Sequence, residues 1–142
     1  MQFKHILVVC VGNICRSPMA EYLLKQALPE RQIYSAGIAA MIGYPADEKA
    51  QRCMQSIGLD MQAHRAKKLT GDMIKQADLV LVMSKNQQQH LEQRWPFAKG
   101  KTFRLGHWQS KNIADPYQQD QLFFDHTFEQ IQQCVNAWIS HL

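Results

Sequence analysis

The chain has 142 residues, 46% of them hydrophobic and 20% charged, with a formal net charge of +4 at pH 7. That length suits one globular domain spanning residues 1–142 around a single core, so a single site is expected. Lysines and arginines never gather into a run and no aromatic-rich RNA-binding signature appears, so no nucleic-acid partner is expected; what remains is a mild bias toward anionic substrates.

Residues 3–10 read as a strand, with Ile6 to Val9 a continuous apolar run of the kind buried on both faces of a parallel sheet. A helix follows, with Ser17 as N-cap, Pro18 at the first helical position and Ala20, Leu23, Leu24, Ala27 and Leu28 in one stripe, stopped by Pro29. A short strand near Gln32–Ser35 leads to Gly37 and a loop. Asp47 caps a second helix whose stripe is Ala50, Cys53, Met54 and Ile57, ended by Gly58. Thr70 starts a short helix to about Ala77, and Leu79–Met83 is a second fully buried strand. Ser84 and Gln87 form a capping box for a helix that ends near Trp95-Pro96. Thr102–Leu105 is a fourth short strand, and a loop runs from Gly106 to Pro116. The last helix carries Phe124, Phe128, Ile131, Val135, Trp138 and Leu142 on one face. The Gln-rich stretches 87–93 and 118–133 read as solvated helix faces. Strands alternating with helices predict an α/β fold with an open parallel sheet.

In such sheets ligands bind beyond the carboxyl ends of the strands. Cys10 ends the first strand, and the loop after the fourth strand carries Asp115 toward the same rim. The connection Cys10-Val11-Gly12-Asn13-Ile14-Cys15-Arg16-Ser17-Pro18 has the composition of an anion cradle. Gly12 and Asn13 tolerate left-handed backbone angles, so successive N–H groups can turn inward, and the helix that follows adds its own free N–H groups and positive dipole end. Arg16 offers a planar fork that matches phosphate oxygens. Cys10 at the floor would feel all of these, which favour thiolate over thiol, and the Ser17 hydroxyl can donate a further hydrogen bond to the sulfur. A thiolate in an oxyanion cradle is a nucleophile aimed at phosphorus.

An aryl leaving group, whose parent phenol has a pKa near ~10, departs more readily with a proton donor at hand. Asp115 in "ADPYQQD" is the candidate acid, aimed off the loop by Pro116, with Tyr117 at the entrance. The same carboxylate can then take a proton from the water that hydrolyses the phosphocysteine.

"VCVGNICRSP", "SAG" at 35–37 and "DPY" at 115–117 together resemble the low-molecular-weight protein tyrosine phosphatases across essentially the whole chain. The resemblance implies a three-layer sandwich with a four-stranded parallel sheet, order 2-1-3-4, flanked by helices on both faces. It also implies Cys10 as nucleophile, Arg16 as phosphate clamp, Asp115 as general acid and base, and no metal or organic cofactor. Asn13, Ser17, Ser35 and His64 match family positions in the hydrogen-bond network that holds the loop. "GHW" at 106–108 is similar to bacterial members serving capsule or exopolysaccharide export, which implies a phosphotyrosine protein, a membrane tyrosine autokinase, as partner. Animal members have a longer loop with an aromatic wall where this chain has Ala39-Ala40-Met41-Ile42, so Met41 is expected to supply that wall; they also carry a second Tyr where Gln118 stands.

The longest apolar run, Ile6–Val11, is shorter than a secretory or membrane-spanning segment, so a soluble cytoplasmic protein with mostly reduced thiols is expected. Cys15 either fills space or forms a reversible disulfide with Cys10. His107 and Trp108 either flank the substrate or pack their loop. Two rival functions are an arsenate reductase of related fold, which needs further redox cysteines that residues 78–95 lack, and a non-catalytic phosphotyrosine-binding module.

Overall fold

The computed structural model describes residues 3–142. Its elements in chain order are β1 (His5–Cys10), α1 (Arg16–Ala27), β2 (Gln32–Gly37), α2 (Glu48–Gln55), α3 (Gly71–Gln76), β3 (Leu79–Val82), α4 (Lys85–Arg94), β4 (Thr102–Arg104) and α5 (Gln121–Ile139). The four strands form one parallel sheet in the order β2-β1-β3-β4, as the resemblance implied.

Alternation along the strands divides the core into two layers. Ile6 and Val8 of β1 and Leu79 and Leu81 of β3 face α1, α2 and α5, where Met19, Leu24, Met54, Phe124 and Ile131 close the larger core. Leu7, Val9, Val80 and Val82 point the other way, onto Ile74 of α3 and Leu91 of α4. A parallel sheet must be covered on both faces, which is why these strands read as unbroken apolar runs.

Element ends are trimmed, since residues 3–4, Met83, Leu105 and Leu142 fall outside β1, β3, β4 and α5, and four further adjustments apply. β2 continues through Gly37, because its strand pairing with β1 runs to the Cys10–Gly37 register. Ser17 does not cap α1: the helix begins at Arg16, its N-cap residue Cys15 makes no side-chain capping bond, and Pro18 is the third helical residue rather than the first. The Ser17 hydroxyl is instead engaged with Cys10 and Asn13. The capping box at α4 is skewed, since Ser84 accepts from Gln87 N while Gln87 Oε1 accepts from Met83 N rather than from Ser84. Ile57 lies past the end of α2 and is exposed, and so is Ala27 of α1.

Asp47, Thr70 and Asp120 cap α2, α3 and α5 through their side chains. His107 and Trp108 pack rather than flank the site. Trp108 stacks on His141 with ring centroids 3.7 Å apart, the His107 and Trp108 rings both abut Trp138, and neither lines the pocket described next.

Candidate active site

β1 delivers Cys10 to the carboxyl edge of the sheet, and the chain then turns through residues 11–15 into α1. Asn13 sits at φ 59°, in the left-handed region that asparagine tolerates. The carbonyls of this loop point outward to donors in flanking segments. Cys10 O accepts from Ile38 N at 3.0 Å, Val11 O from Ala39 N at 2.9 Å, Gly12 O from Met41 N at 3.0 Å and Ile14 O from Asp47 N at 2.9 Å. Asn13 O accepts from His64 Nε2 at 2.7 Å. With the carbonyls turned out, the N–H groups of Val11 through Arg16 have no carbonyl partner among the described residues. A curl of such donors at a helix start is an oxyanion cradle.

One pocket of about 200 Å³ opens over this cradle, lined by Cys10, Val11, Gly12, Ile14, Cys15 and Arg16 from the loop and by Ala39, Met41, Asp115 and Tyr117 from its rim. Residues about a hundred positions apart in sequence thus meet, as the sheet topology led one to expect. Arg16 is 4% exposed, and its orientation is fixed from behind, Nη1 donating to Ile113 O at 2.8 Å. Its Nη2 lies 3.6 Å from Asp115 Oδ2, and its Nε is buried without a partner among the described residues. A buried guanidinium N–H left unpaired is costly, and a phosphate oxygen is the acceptor its fork geometry fits. Asp115 is half exposed, with Oδ1 accepting from Tyr117 N at 3.1 Å, so Oδ2 is the oxygen facing the pocket side. Met41 and Tyr117 both stand on the apolar rim.

Asn13, Ser17, Ser35 and His64 lie behind the pocket in one buried network. Asn13 Oδ1 accepts from Lys67 N at 3.0 Å, which settles which end of the amide is oxygen. Both hydrogens on Nδ2 are then spent, one on Ser17 Oγ at 2.7 Å and one on Ser35 Oγ at 2.9 Å. Ser17 accepts from Asn13, so its own proton is free for Cys10 Sγ, 2.9 Å away. The chain of donors therefore runs toward the sulfur, the polarity that a thiolate requires.

The Ser35 hydroxyl donates to Oε1 of Glu21, a buried residue that the sequence reading missed. Glu21 Oε2 is paired with Lys25 at 2.6 Å, and Oε1 lies 4.0 Å from His64 Nδ1. The available signal was a carboxylate at position 21, on the same helix face as Ser17, Ala20 and Leu24. Burial pushes the His64 pKa below its usual value, opposed by its hydrogen bond to Asn13 O and by the Glu21 charge. Because the Asn13 carbonyl can only accept, His64 Nε2 carries the hydrogen of that bond and donates to the loop. Burial, with Asp47 adding to it, pushes the Cys15 thiol well up, and Cys10 and Cys15 are both free.

The family model for low molecular weight phosphotyrosine protein phosphatase matches residues 5–142. The chain belongs to this family. A curated protein of Acinetobacter johnsonii named low molecular weight protein-tyrosine-phosphatase Ptp is 70% identical over 142 residues, all of both chains. Among solved structures, Vibrio vulnificus Wzb in complex with benzylphosphonate superposes with a TM-score of 0.95 at 42% identity, covering 99% of this chain and 100% of that one. The tyrosine phosphatase Wzb of Escherichia coli K30, in complex with sulphate, gives 0.95 at 39% identity, covering 99% of each chain. The fold, the family and its activity are thereby shown: the chain is a low-molecular-weight protein-tyrosine phosphatase. No helix among the described residues is long and apolar enough to cross a membrane.

Proposed function

We propose that this phosphatase works through Cys10, Arg16 and Asp115 in two displacements at phosphorus. The observation that carries the assignment is that the Cys10 sulfur, with its Ser17 donor, opens into the same pocket as the Arg16 guanidinium and the Asp115 carboxyl. In the first displacement Cys10 Sγ attacks phosphorus, the bond to the tyrosine oxygen breaks, and protonated Asp115 gives its proton to the leaving phenolate. In the second, water attacks the cysteinyl-phosphate, Asp115 takes the water's proton, and sulfur leaves as thiolate with release of inorganic phosphate. Arg16 and the inward N–H groups of residues 11–16 hold the three equatorial oxygens in both steps. Asn13, Ser17, Ser35 and His64 keep the loop in shape.

The apolar rim of Val11, Ile14, Ala39, Met41 and Tyr117 favours an aromatic ring over the shorter arm of phosphoserine, which would not bring its phosphate to the floor. The substrate we propose is a phosphotyrosine segment of a membrane tyrosine autokinase that controls capsule or exopolysaccharide production, met in the cytoplasm. Support for that partner is the likeness of Gly106-His107-Trp108 to bacterial members of that kind.

Matched phosphotyrosine and phosphoserine peptides, offered to the wild type, Cys10→Ser and Asp115→Asn, test the assignment. Hydrolysis of phosphotyrosine alone, loss of turnover in Cys10→Ser, and slowing in Asp115→Asn that is greatest for poor leaving groups are expected. Binding of phosphotyrosine without phosphate release by the wild type would make the loop a cradle only. Failure of the wild type to dephosphorylate a purified tyrosine-phosphorylated autokinase would remove the partner and leave the chemistry standing.

A further inference from the structure

The segment that carries Asp115 crosses the pocket rim between two fixed ends. Ile113 N donates to Met83 O at 2.9 Å and its carbonyl holds Arg16, while Asp120 caps α5. Residues 114–119 between them are mostly exposed. Among the described residues, two polar links join that stretch to the rest of the molecule. One is the 3.6 Å contact of Arg16 with Asp115. The other is Lys49 Nζ, which donates to the carbonyl of Gln119 at 2.5 Å while lying 5.8 Å from the centre of the Phe124 ring.

The two links respond differently to catalysis. Asp115 must be protonated to act as an acid, and once neutral it loses its attraction to Arg16, whose fork the phosphate then engages. The Gln119 carbonyl does not titrate, so the hold of Lys49 persists through the step. That carbonyl is presented by a shaped turn, with Gln118 at φ 65° and Gln119 N donating to Pro116 O at 2.9 Å.

Lys49 is itself anchored beside the phosphate loop. It is the second residue of α2, its backbone N–H donates to the Asp47 cap at 2.9 Å, and Asp47 N donates to Ile14 O at 2.9 Å. From the other side, Gln121 Nε2 donates to Lys49 O at 3.1 Å. The start of α2 therefore touches the nucleophile's loop with one residue and the acid's loop with another.

We propose that Lys49 is a positioning residue, which sets the reach of Asp115 to the leaving group by bracing the 114–119 segment against the phosphate loop. The proposal rests on Asp115 being the general acid. Lys49→Met keeps most of the stem and removes the donor; Lys49→Arg restores one. The measurement is kcat/KM for a series of aryl phosphates with leaving groups of rising pKa, for both variants, Asp115→Asn and the Lys49→Met/Asp115→Asn double variant. A well-placed general acid is worth about 10²–10⁴-fold, so a displaced one should cost Lys49→Met about 10-fold on the poorest leaving groups and under about 2-fold on the best. Lys49→Arg should recover most of the loss, and the double variant should be no slower than Asp115→Asn alone.

Equal losses across the series, or none, would overturn the proposal, because a merely structural lysine would lower all substrates alike. If Asp115→Asn shows a leaving-group dependence and Lys49→Met does not, the proposal alone falls. If Asp115→Asn shows none, the reading of Asp115 falls and takes the proposal with it.

Discussion

Asn13→Asp is nearly isosteric and should disarm the nucleophile by reversing one hydrogen bond. In the wild type the amide gives both its protons away, to Ser17 at 2.7 Å and Ser35 at 2.9 Å, which leaves the Ser17 hydroxyl to donate to Cys10 Sγ. A carboxylate at position 13 still accepts from Lys67 N but has nothing to donate. Ser17 would then turn its proton toward that carboxylate and present a lone pair to the sulfur. A hydrogen bond to a charged group is worth about 1.5–3 kcal/mol, which corresponds to about 10- to 150-fold in rate where the bond supports the thiolate. The assay is kcat/KM on an aryl phosphate together with the rate of Cys10 alkylation by iodoacetamide at fixed pH, with Ser17→Ala for comparison and circular dichroism as the check on folding. Both readouts should fall within that range, and Asn13→Asp should resemble Ser17→Ala. A folded Asn13→Asp that alkylates as fast as the wild type, while Ser17→Ala is slow, would refute the donor polarity.

Two further outcomes follow from the same scaffold. Burial lowers the pKa of His64, so as pH falls the unfolded state takes the proton first; the stability that neutral His64 contributes is present above its unfolded value of ~6.5 and is lost as pH falls through the lower folded value. Urea midpoints from pH 7.5 downward should therefore decline more steeply for the wild type than for His64→Gln, and a wild type that gains on the variant as pH falls would contradict this. A Cβ at Gly37 would stand 2.6 Å from Val11 O and 3.0 Å from Ala40, so Gly37→Ala should cost about 1–3 kcal/mol in denaturant unfolding and lower kcat/KM by displacing the loop; an unchanged midpoint would show that the two segments are not in close contact.

What the sequence made legible were features fixed by near neighbours. Ile6–Val9 and Leu79–Met83 announce buried strands because short, β-branched apolar runs suit a sheet covered on both faces, and Asp47, Thr70 and Ser84 announce helix starts through bonds that span three residues or fewer. The position of the pocket followed from strand order, since β1 and β4 both end at the same edge of the sheet. Ser17 shows where local signals stop: its type and place suit an N-cap, yet tertiary partners 7 positions back and 4 positions back claim its hydroxyl. Glu21 escaped notice because its partners, Ser35 and His64, reach it from separate segments, and an i,i+4 pairing with Lys25 looks like a solvated face when read alone. Lys49 is invisible for the same reason, its acceptor lying 70 positions away. His107 and Trp108 could not be placed before α5 was seen to bring Trp138 and His141 beneath them.

In the proposed mechanism phosphate passes through the sulfur of Cys10. Denaturing the Asp115→Asn variant rapidly during steady turnover of an activated aryl phosphate, and locating the phosphoryl group by mass spectrometry, tests it most directly. A phosphoryl group on Cys10 alone, absent when the substrate is omitted, is the expected result. Turnover without any phosphoryl-enzyme, or with the group on Ser17, would contradict it.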